Sequence, residues 1–240
     1  ISGPIAISGT QRLLSRPHDE LFSALRGLGA TVERKGAQWL LTPPAGGRWT
    51  ARHLKLRGGE SSQFASAVLL SAVGLDEDFT LIIEEPLRSR GYLELTLDFM
   101  RRAGMDVSQS RLASSTEIFV PAGSHPRAGA TLHCEGDWST AAGLLAVGVA
   151  AGVKRGSKSR LELEGLSPTS QQPDRAVLDW LGMMGCDPRW EGDRLVLDRV
   201  PARLRGLNGS AAESPDLVPV FAALAAIAEG RSEFHSAPDR

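Results

Sequence analysis

At 240 residues, 42% hydrophobic and 23% charged, the chain has the balance of a folded protein of one or two domains, at about 150 residues per domain. That excludes intrinsic disorder, collagen-like repeats and a disulfide-dense scaffold. A formal net charge of −1 offers no electrostatic excess for nucleic acid or an anionic membrane, so neither is an expected partner.

Residue 1 is isoleucine and no basic-then-apolar signal segment follows, so the natural start is expected to lie elsewhere. Ser15-Arg16-Pro17 reads as a helix start with Pro17 at the first helical position. Leu21, Leu25 and Leu28 then recur at helical spacing before Gly29, which suits a left-handed cap. Gln38 to Leu41 and His53 to Arg57 read as a strand pair. Gly58-Gly59-Glu60-Ser61-Ser62 opens an apolar helix reaching Val73, and Phe79 to Glu84 is β-like. A second amphipathic helix runs from Tyr92 to Gly104, with Tyr92, Thr96, Phe99 and Ala103 on one stripe. Ile118 to Val120 near Thr131 to Cys134 reads as another strand pair.

Gly136-Asp137-Trp138-Ser139 opens the longest apolar run, Ala141 to Val153, which is broken by glycines and shorter than the ~18 residues of a membrane span. A strand from Arg160 to Glu164 follows, then a helix from Asp174 to Gly185 carrying Val177, Leu181 and Met184. Gly209-Ser210 through Ser214-Pro215 leads into a third apolar helix ending at Ala228. Cys134 and Cys186 are far apart and the five histidines are scattered, so no metal centre is expected and a reducing cytoplasm is the expected compartment.

The glycine–serine helix starts recur: Ser61, Ser139 and Ser214 lie 78 and 75 residues apart. The unit is helix–strand–helix–strand–strand, used about three times, with the chain entering and leaving partway through a copy. Helices from Ser61, Ser139 and Pro215 carry few charges and belong in an interior. The expected fold is α/β, with repeated units that bury helices beneath outer sheets.

The motifs Ser15-Arg16-Pro17, Gly59-Glu60-Ser61-Ser62-Gln63-Phe64, Ser89-Arg90-Gly91-Tyr92, Glu135-Gly136-Asp137-Trp138-Ser139 and Ser214-Pro215-Asp216-Leu217 occur in order along the chain. In that order the sequence resembles the 5-enolpyruvylshikimate-3-phosphate synthase family of enolpyruvyl transferases. The resemblance implies two partial lobes of inside-out α/β barrel type built from βαβαββ units, residues 1–133 finishing the first and residues 134–240 beginning the second. It implies transfer of the enolpyruvyl group of phosphoenolpyruvate to the 5-hydroxyl of shikimate 3-phosphate, with release of phosphate, on the route to chorismate and aromatic amino acids. That chemistry asks for no metal or organic cofactor; a monomer is the expectation for a complete enzyme.

Taken alone, Ser61, Ser62 and Gln63 read as a helix cap with polar neighbours; the resemblance makes them shikimate 3-phosphate ligands at a helix N-terminus, with Gln63 also reaching the enolpyruvyl group. Ser89 and Tyr92 are carried over as shikimate 3-phosphate contacts. Gly91 departs from the proline common there and loosens that loop, while Arg90 has no assigned role. Arg16, alone a surface arginine, becomes the phosphoenolpyruvate grip, its planar fork matching a carboxylate or phosphate. Asp216, alone an acid favoured by a helix dipole, becomes the proton acceptor for the attacking hydroxyl.

Gly156-Ser157-Lys158-Ser159 resembles the family's catalytic-lysine loop but precedes a strand in the wrong repeat, so it reads as a hairpin turn. Gln171-Gln172-Pro173-Asp174 reads as a structural helix start. The lysine loop and an Asn-Ala-Gly-Thr-type loop do not precede Arg16, and the chain stops at Asp239-Arg240, where a further family segment is expected. A central piece with low activity of its own is therefore the expectation. The alternatives are a UDP-N-acetylglucosamine enolpyruvyl transferase, which wants a reactive cysteine near Arg16, and a non-catalytic phosphate-ligand-binding relative.

Overall fold

The first ~45 residues fold as an antiparallel sheet with two helices inserted between its first two strands. Strands β1 (Ile5–Ser8), β2 (Thr31–Lys35) and β3 (Gln38–Thr42) pair in the order β1-β3-β2, and helices α1 (Gln11–Leu14) and α2 (Asp19–Gly27) connect β1 to β2. This is a computed structural model, and it describes residues 3–59, 62–155 and 160–236. Helix α2 begins two residues after Pro17, not on it, with His18 at its N-cap.

A second sheet combines β4 (His53–Arg57), β5 (Phe79–Glu84), β6 (Ser108–Arg111) and β7 (Ser115–Val120) in the order β4-β5-β7-β6. Its β4–β5 pair is parallel and the other two pairs are antiparallel. Parallel neighbours require a crossover, here α3 (Ser62–Ser71), while α4 (Arg90–Arg102) leads from β5 to β6. The alternation of β5 sends Phe79, Leu81 and Ile83 into one core with Leu54, Leu56, Val68, Leu69, Leu93 and Leu97. Each fully buried aliphatic side chain of this set contributes about 1.5–3 kcal/mol of transfer free energy.

Two strand expectations are corrected here. Gln38 to Leu41 and His53 to Arg57 belong to different sheets: β3 finds its partner in the adjacent hairpin strand β2, and β4 pairs across the crossover with β5. Residues 131–134 form no strand, and β7 pairs with β6 and β5. The buried stripe of α4 is Leu93, Leu97 and Met100, one residue round from most of the stripe read in the sequence, so Phe99 is exposed and Tyr92 and Thr96 are half-buried, while Ala103 at the C-cap is buried as expected.

The chain divides into two compact units, residues 1–131 and 132–240. In the second, α5 (Trp138–Arg155) precedes β8 (Leu161–Leu163), and a 3₁₀ turn over Pro173–Ala176 runs into α6 (Val177–Met183). Strands β9 (Arg189–Glu191) and β10 (Arg194–Leu197) join β8 in the order β8-β10-β9. Charged side chains ladder across this sheet: Arg160 reaches Glu162, Glu191 and Asp198, and Arg194 reaches Glu162 and Glu164. Short strands β11 (Leu204–Arg205) and β12 (Asn208–Ser210) pair in parallel with β13 (Ala228–Glu229) and β14 (Glu233–His235) across α7 (Leu217–Ala225). That repeats the strand–helix–strand logic of β4–α3–β5.

The core of this unit gathers Trp138, Leu145 and Val149 of α5, Val177 and Leu181 of α6, and Leu217 and Phe221 of α7. Helices α3 and α7 carry no charged residue, and each buries one apolar face while leaving residues such as Leu70, Ala222 and Ala223 exposed. The architecture is mixed α/β with buried helices and outer sheets, and among the described residues the sheets have two to four strands. Gly156-Ser157-Lys158-Ser159 and Asp239-Arg240 lie outside the described residues.

Candidate functional site: helix starts joined at strand ends

In open α/β arrangements ligands sit beyond the carboxyl ends of parallel strands, where helices begin. At the end of β4 the backbone N–H of Arg57 donates to Glu20 Oε1 at 2.9 Å, and its guanidinium donates to Glu20 Oε2 at 3.1 and 2.9 Å. Glu20 is buried in the first turn of α2, so these charge-assisted bonds tie the start of α2 to the end of β4. The carboxylate also sits at the favourable end of the α2 dipole.

The next residue, Gly58, donates its N–H to the Glu84 carbonyl at 3.1 Å and accepts from the Arg88 N–H at 2.9 Å. A Cβ at Gly58 would stand 2.3 Å from the Glu84 oxygen and 2.9 Å from Leu87 Cα, a separation only glycine permits. The loops after two parallel strands are thereby stitched together, bringing the starts of α3 and α4 side by side. Further along, the hydroxyls of Ser66 and Thr96 meet at 2.8 Å.

The turn from β5 into α4 is organised by Glu85. Its carboxylate accepts the Leu87 N–H at 2.8 Å and the Thr116 hydroxyl at 2.9 Å, and pairs with the Arg90 guanidinium. Arg90 also donates to Thr116 Oγ1 at 3.2 Å. Thr116 is fully buried on β7, and the Arg90 and Glu85 side chains are only 17% and 20% exposed. The Leu87 N–H first, then the Arg90 and Thr116 donors, hold the Glu85 carboxyl down at about 2, against an ordinary 4.5. A carboxylate with a lowered folded pKa stabilises the fold above its unfolded pKa, and that contribution disappears as pH falls through the folded one. The melting-temperature gap between the wild type and Glu85→Gln is therefore expected to narrow as pH falls from 4.5 towards 2, followed by circular dichroism. A gap constant over that window would contradict the assignment.

Ser89 closes this turn in the left-handed region, at φ 52° and ψ 44°, as the N-cap of α4. Its hydroxyl makes no capping bond to the helix. Tyr92 lies half-buried in the first turn, its N–H donating to the Ser89 carbonyl at 3.1 Å.

Of the sequence-derived ligand residues, Ser62 is the first residue of α3 and is buried, and Gln63 beside it is exposed. Ser61 lies outside the described residues. The Gly58 stitch brings Ser62 and Gln63 to the same end of the fold as Ser89 and Tyr92. Arg16 is exposed three residues before α2, whose start Glu20 ties to that end. Sequence reasoning missed Glu20, Arg57, Glu85 and Thr116; the signal it could have used is the acid immediately beyond each apolar-strand or helix boundary.

Asp216 belongs to the second unit, at the exposed N-cap of α7, where its side chain makes no capping bond. The helix starts of that unit are joined in the same manner. Gly136 donates to the Gly165 carbonyl at 2.6 Å, and Gln172 accepts the Trp138 N–H at 2.9 Å while donating to Gly136 O at 3.0 Å. Ser139 bonds the buried Asp174 carboxylate, and Ser214 donates to Pro173 O at 2.8 Å. The serines read as caps therefore link neighbouring helix starts instead. The α5 cap is Asp137, which accepts the Thr140 N–H at 2.8 Å and is held below the usual carboxylate range by the Thr140 hydroxyl and N–H. Gln172 does carry the structural role read for it.

Burial pushes the Cys186 thiol up to about 11, which makes it a poor nucleophile. Among the described residues no group of three or more His, Cys, Asp or Glu could hold a metal ion, and no helix is long and apolar enough to cross a membrane.

A family model described as EPSP synthase (3-phosphoshikimate 1-carboxyvinyltransferase) matches residues 1–237. A 3-phosphoshikimate 1-carboxyvinyltransferase of Methanoculleus marisnigri is 34% identical over 225 residues, 94% of this chain and 51% of the relative. That of Methanopyrus kandleri is 34% identical over 232 residues, 96% of this chain and 51% of the relative. Among solved structures, the enolpyruvyl transferase NikO from Streptomyces tendae superposes with TM-score 0.66 at 18% identity, over 98% of this chain and 53% of that one. EPSP synthase from Acinetobacter baumannii does so with TM-score 0.65 at 21% identity, over 97% and 51%. The chain spans about half the length of the curated relatives it matches.

Proposed function

Because the chain belongs to the EPSP synthase family, we propose that it supplies the shikimate 3-phosphate pocket and the proton acceptor of an enolpyruvyl transferase. In a polypeptide of full family length the reaction joins the 5-hydroxyl of shikimate 3-phosphate to the enol carbon of phosphoenolpyruvate, then eliminates phosphate. The observation that carries this reading is the stitched pair of helix starts, which presents Ser62, Gln63, Ser89 and Tyr92 at one end of parallel strands. Backbone N–H groups and hydroxyls gathered at helix starts are suited to a phosphate.

In this reading Ser61, Ser62, Ser89 and Tyr92 bind shikimate 3-phosphate, with Gln63 shared between it and the enolpyruvyl group. Arg16 holds phosphoenolpyruvate through the bidentate geometry of its guanidinium. Asp216 accepts the proton from the 5-hydroxyl as the carbon–oxygen bond forms. Residues 1–131 and 132–240 contribute to the two lobes of the complete enzyme.

The test uses Ser89→Gly. Glycine takes the left-handed conformation without strain and is tolerated at an N-cap, so this change removes the hydroxyl and little else. The dissociation constant for shikimate 3-phosphate, measured by calorimetry, is expected to rise about tenfold, the size of one hydrogen bond to a charged group. A constant unchanged within twofold would remove Ser89 from the site, and no binding by the wild type would overturn the whole reading.

A further inference from the structure

We infer that the Glu85–Arg90–Thr116 cluster is a positioning device that sets Ser89 for its ligand; the inference rests on the function proposed above. Arg90 reaches back across the turn to Glu85 and so closes a six-residue loop around the Ser89 backbone. Thr116 contacts both partners and anchors the closed loop to β7. The Leu87 N–H occupies the other carboxylate oxygen, so backbone and side chain share one charged centre.

A reversal between a strand and a helix needs none of this. Glycine or asparagine would make the turn without taking two charges largely out of water, which is costly unless geometry and hydrogen bonds compensate. Here the compensation is complete enough to hold a serine at φ 52°, where a side chain is strained and persists only when its surroundings over-determine it. Gly91 follows at once and adds backbone freedom, so local stiffness does not keep Ser89 in place. The ion pair on either side of it does. Gly58, hydrogen-bonded to Glu84 and Arg88, fixes the turn against the α3 start, so the position of Ser89 relative to Ser62 and Gln63 depends on the same cluster. Arg90, at 17% exposure, does not present itself to a ligand; it acts through Ser89.

The experiment is a double-mutant cycle on the full chain, reading the shikimate 3-phosphate dissociation constant by calorimetry and amide exchange at Leu87 and Arg88. Arg90→Gln is expected to speed exchange at both amides at least tenfold and to raise the dissociation constant about tenfold. Arg90→Lys, which keeps the charge and loses the fork, is expected to recover part of both. In the Ser89→Gly background Arg90→Gln is expected to add less than twofold, because the group it positions is gone. Multiplying effects, or a loosened turn with unchanged affinity, would overturn the inference while leaving the functional reading standing. A wild type that ignores shikimate 3-phosphate would take both down. If Arg90→Gln does not fold, Thr116→Val is read in the same cycle by the same criteria.

Discussion

Asparagine in place of Asp216 is expected to lower kcat by about two to four orders of magnitude, the usual worth of a positioned general base, while KM for both substrates stays within a few-fold. The prediction applies to a polypeptide of full family length carrying this sequence, assayed by phosphate release. Asparagine keeps the shape and can serve at an N-cap, so helix α7 should not suffer. The carboxylate makes no capping bond to its own helix, so its loss is not expected to uncap α7. Turnover within threefold of the wild type would show that Asp216 is a surface acid at a helix start and nothing more.

Gly58→Ala is expected to cost about 1–3 kcal/mol in urea unfolding, the range for forcing extra atoms into a packed site, and to weaken shikimate 3-phosphate binding at least tenfold. The new methyl group would lie 2.3 Å from the Glu84 carbonyl oxygen, which is backbone and cannot swing aside as a side-chain tip could. Relief requires the β5–α4 turn to move away from the α3 start, separating Ser89 from Ser62. Gly59→Ala is the control, since among the described residues nothing lies within 4 Å of a Cβ at that position. It is expected to change stability by no more than about 0.5 kcal/mol. Equal effects at the two glycines would mean that backbone entropy, and not the close approach at Gly58, decides the outcome.

These two expectations come from different kinds of information. Asp216 was legible in the sequence as part of the Ser214-Pro215-Asp216 motif, whose neighbours are contiguous along the chain. Gly58 was legible only as a helix-start glycine, because the atoms that exclude a side chain there belong to residues 84 and 87. Arg90 shows the same gap more sharply. It received no role from the sequence, since its partners are Glu85 across the turn and Thr116 on a strand 26 residues later.

Helix stripes show where local pattern suffices and where it stops. Val177, Leu181 and Met184 form one apolar face by their spacing and are all fully buried. In α4, two overlapping stripes were available, and packing on the β4-β5-β7-β6 sheet selected Leu93, Leu97 and Met100 over Tyr92, Thr96 and Phe99. Serines read as caps at Ser139 and Ser214 instead joined helix starts, because a neighbouring carboxylate or carbonyl competed for the hydroxyl.

By itself the sequence determined the α/β class, the ~75-residue spacing of helix starts, the charge-poor helices and the ordered motifs that resemble one enzyme family. All of these depend on periodicity or on contiguous residues, which a linear string preserves. Only the tertiary structure decided that β4 pairs with β5 and not β3, and that the start of α3 is tied to the turn before α4. The same holds for Thr116, which anchors the part-buried Glu85–Arg90 pair that encloses Ser89. Hydrogen bonds and close approaches between residues 26 to 37 positions apart are set by chain crossover and packing, and no local propensity encodes them.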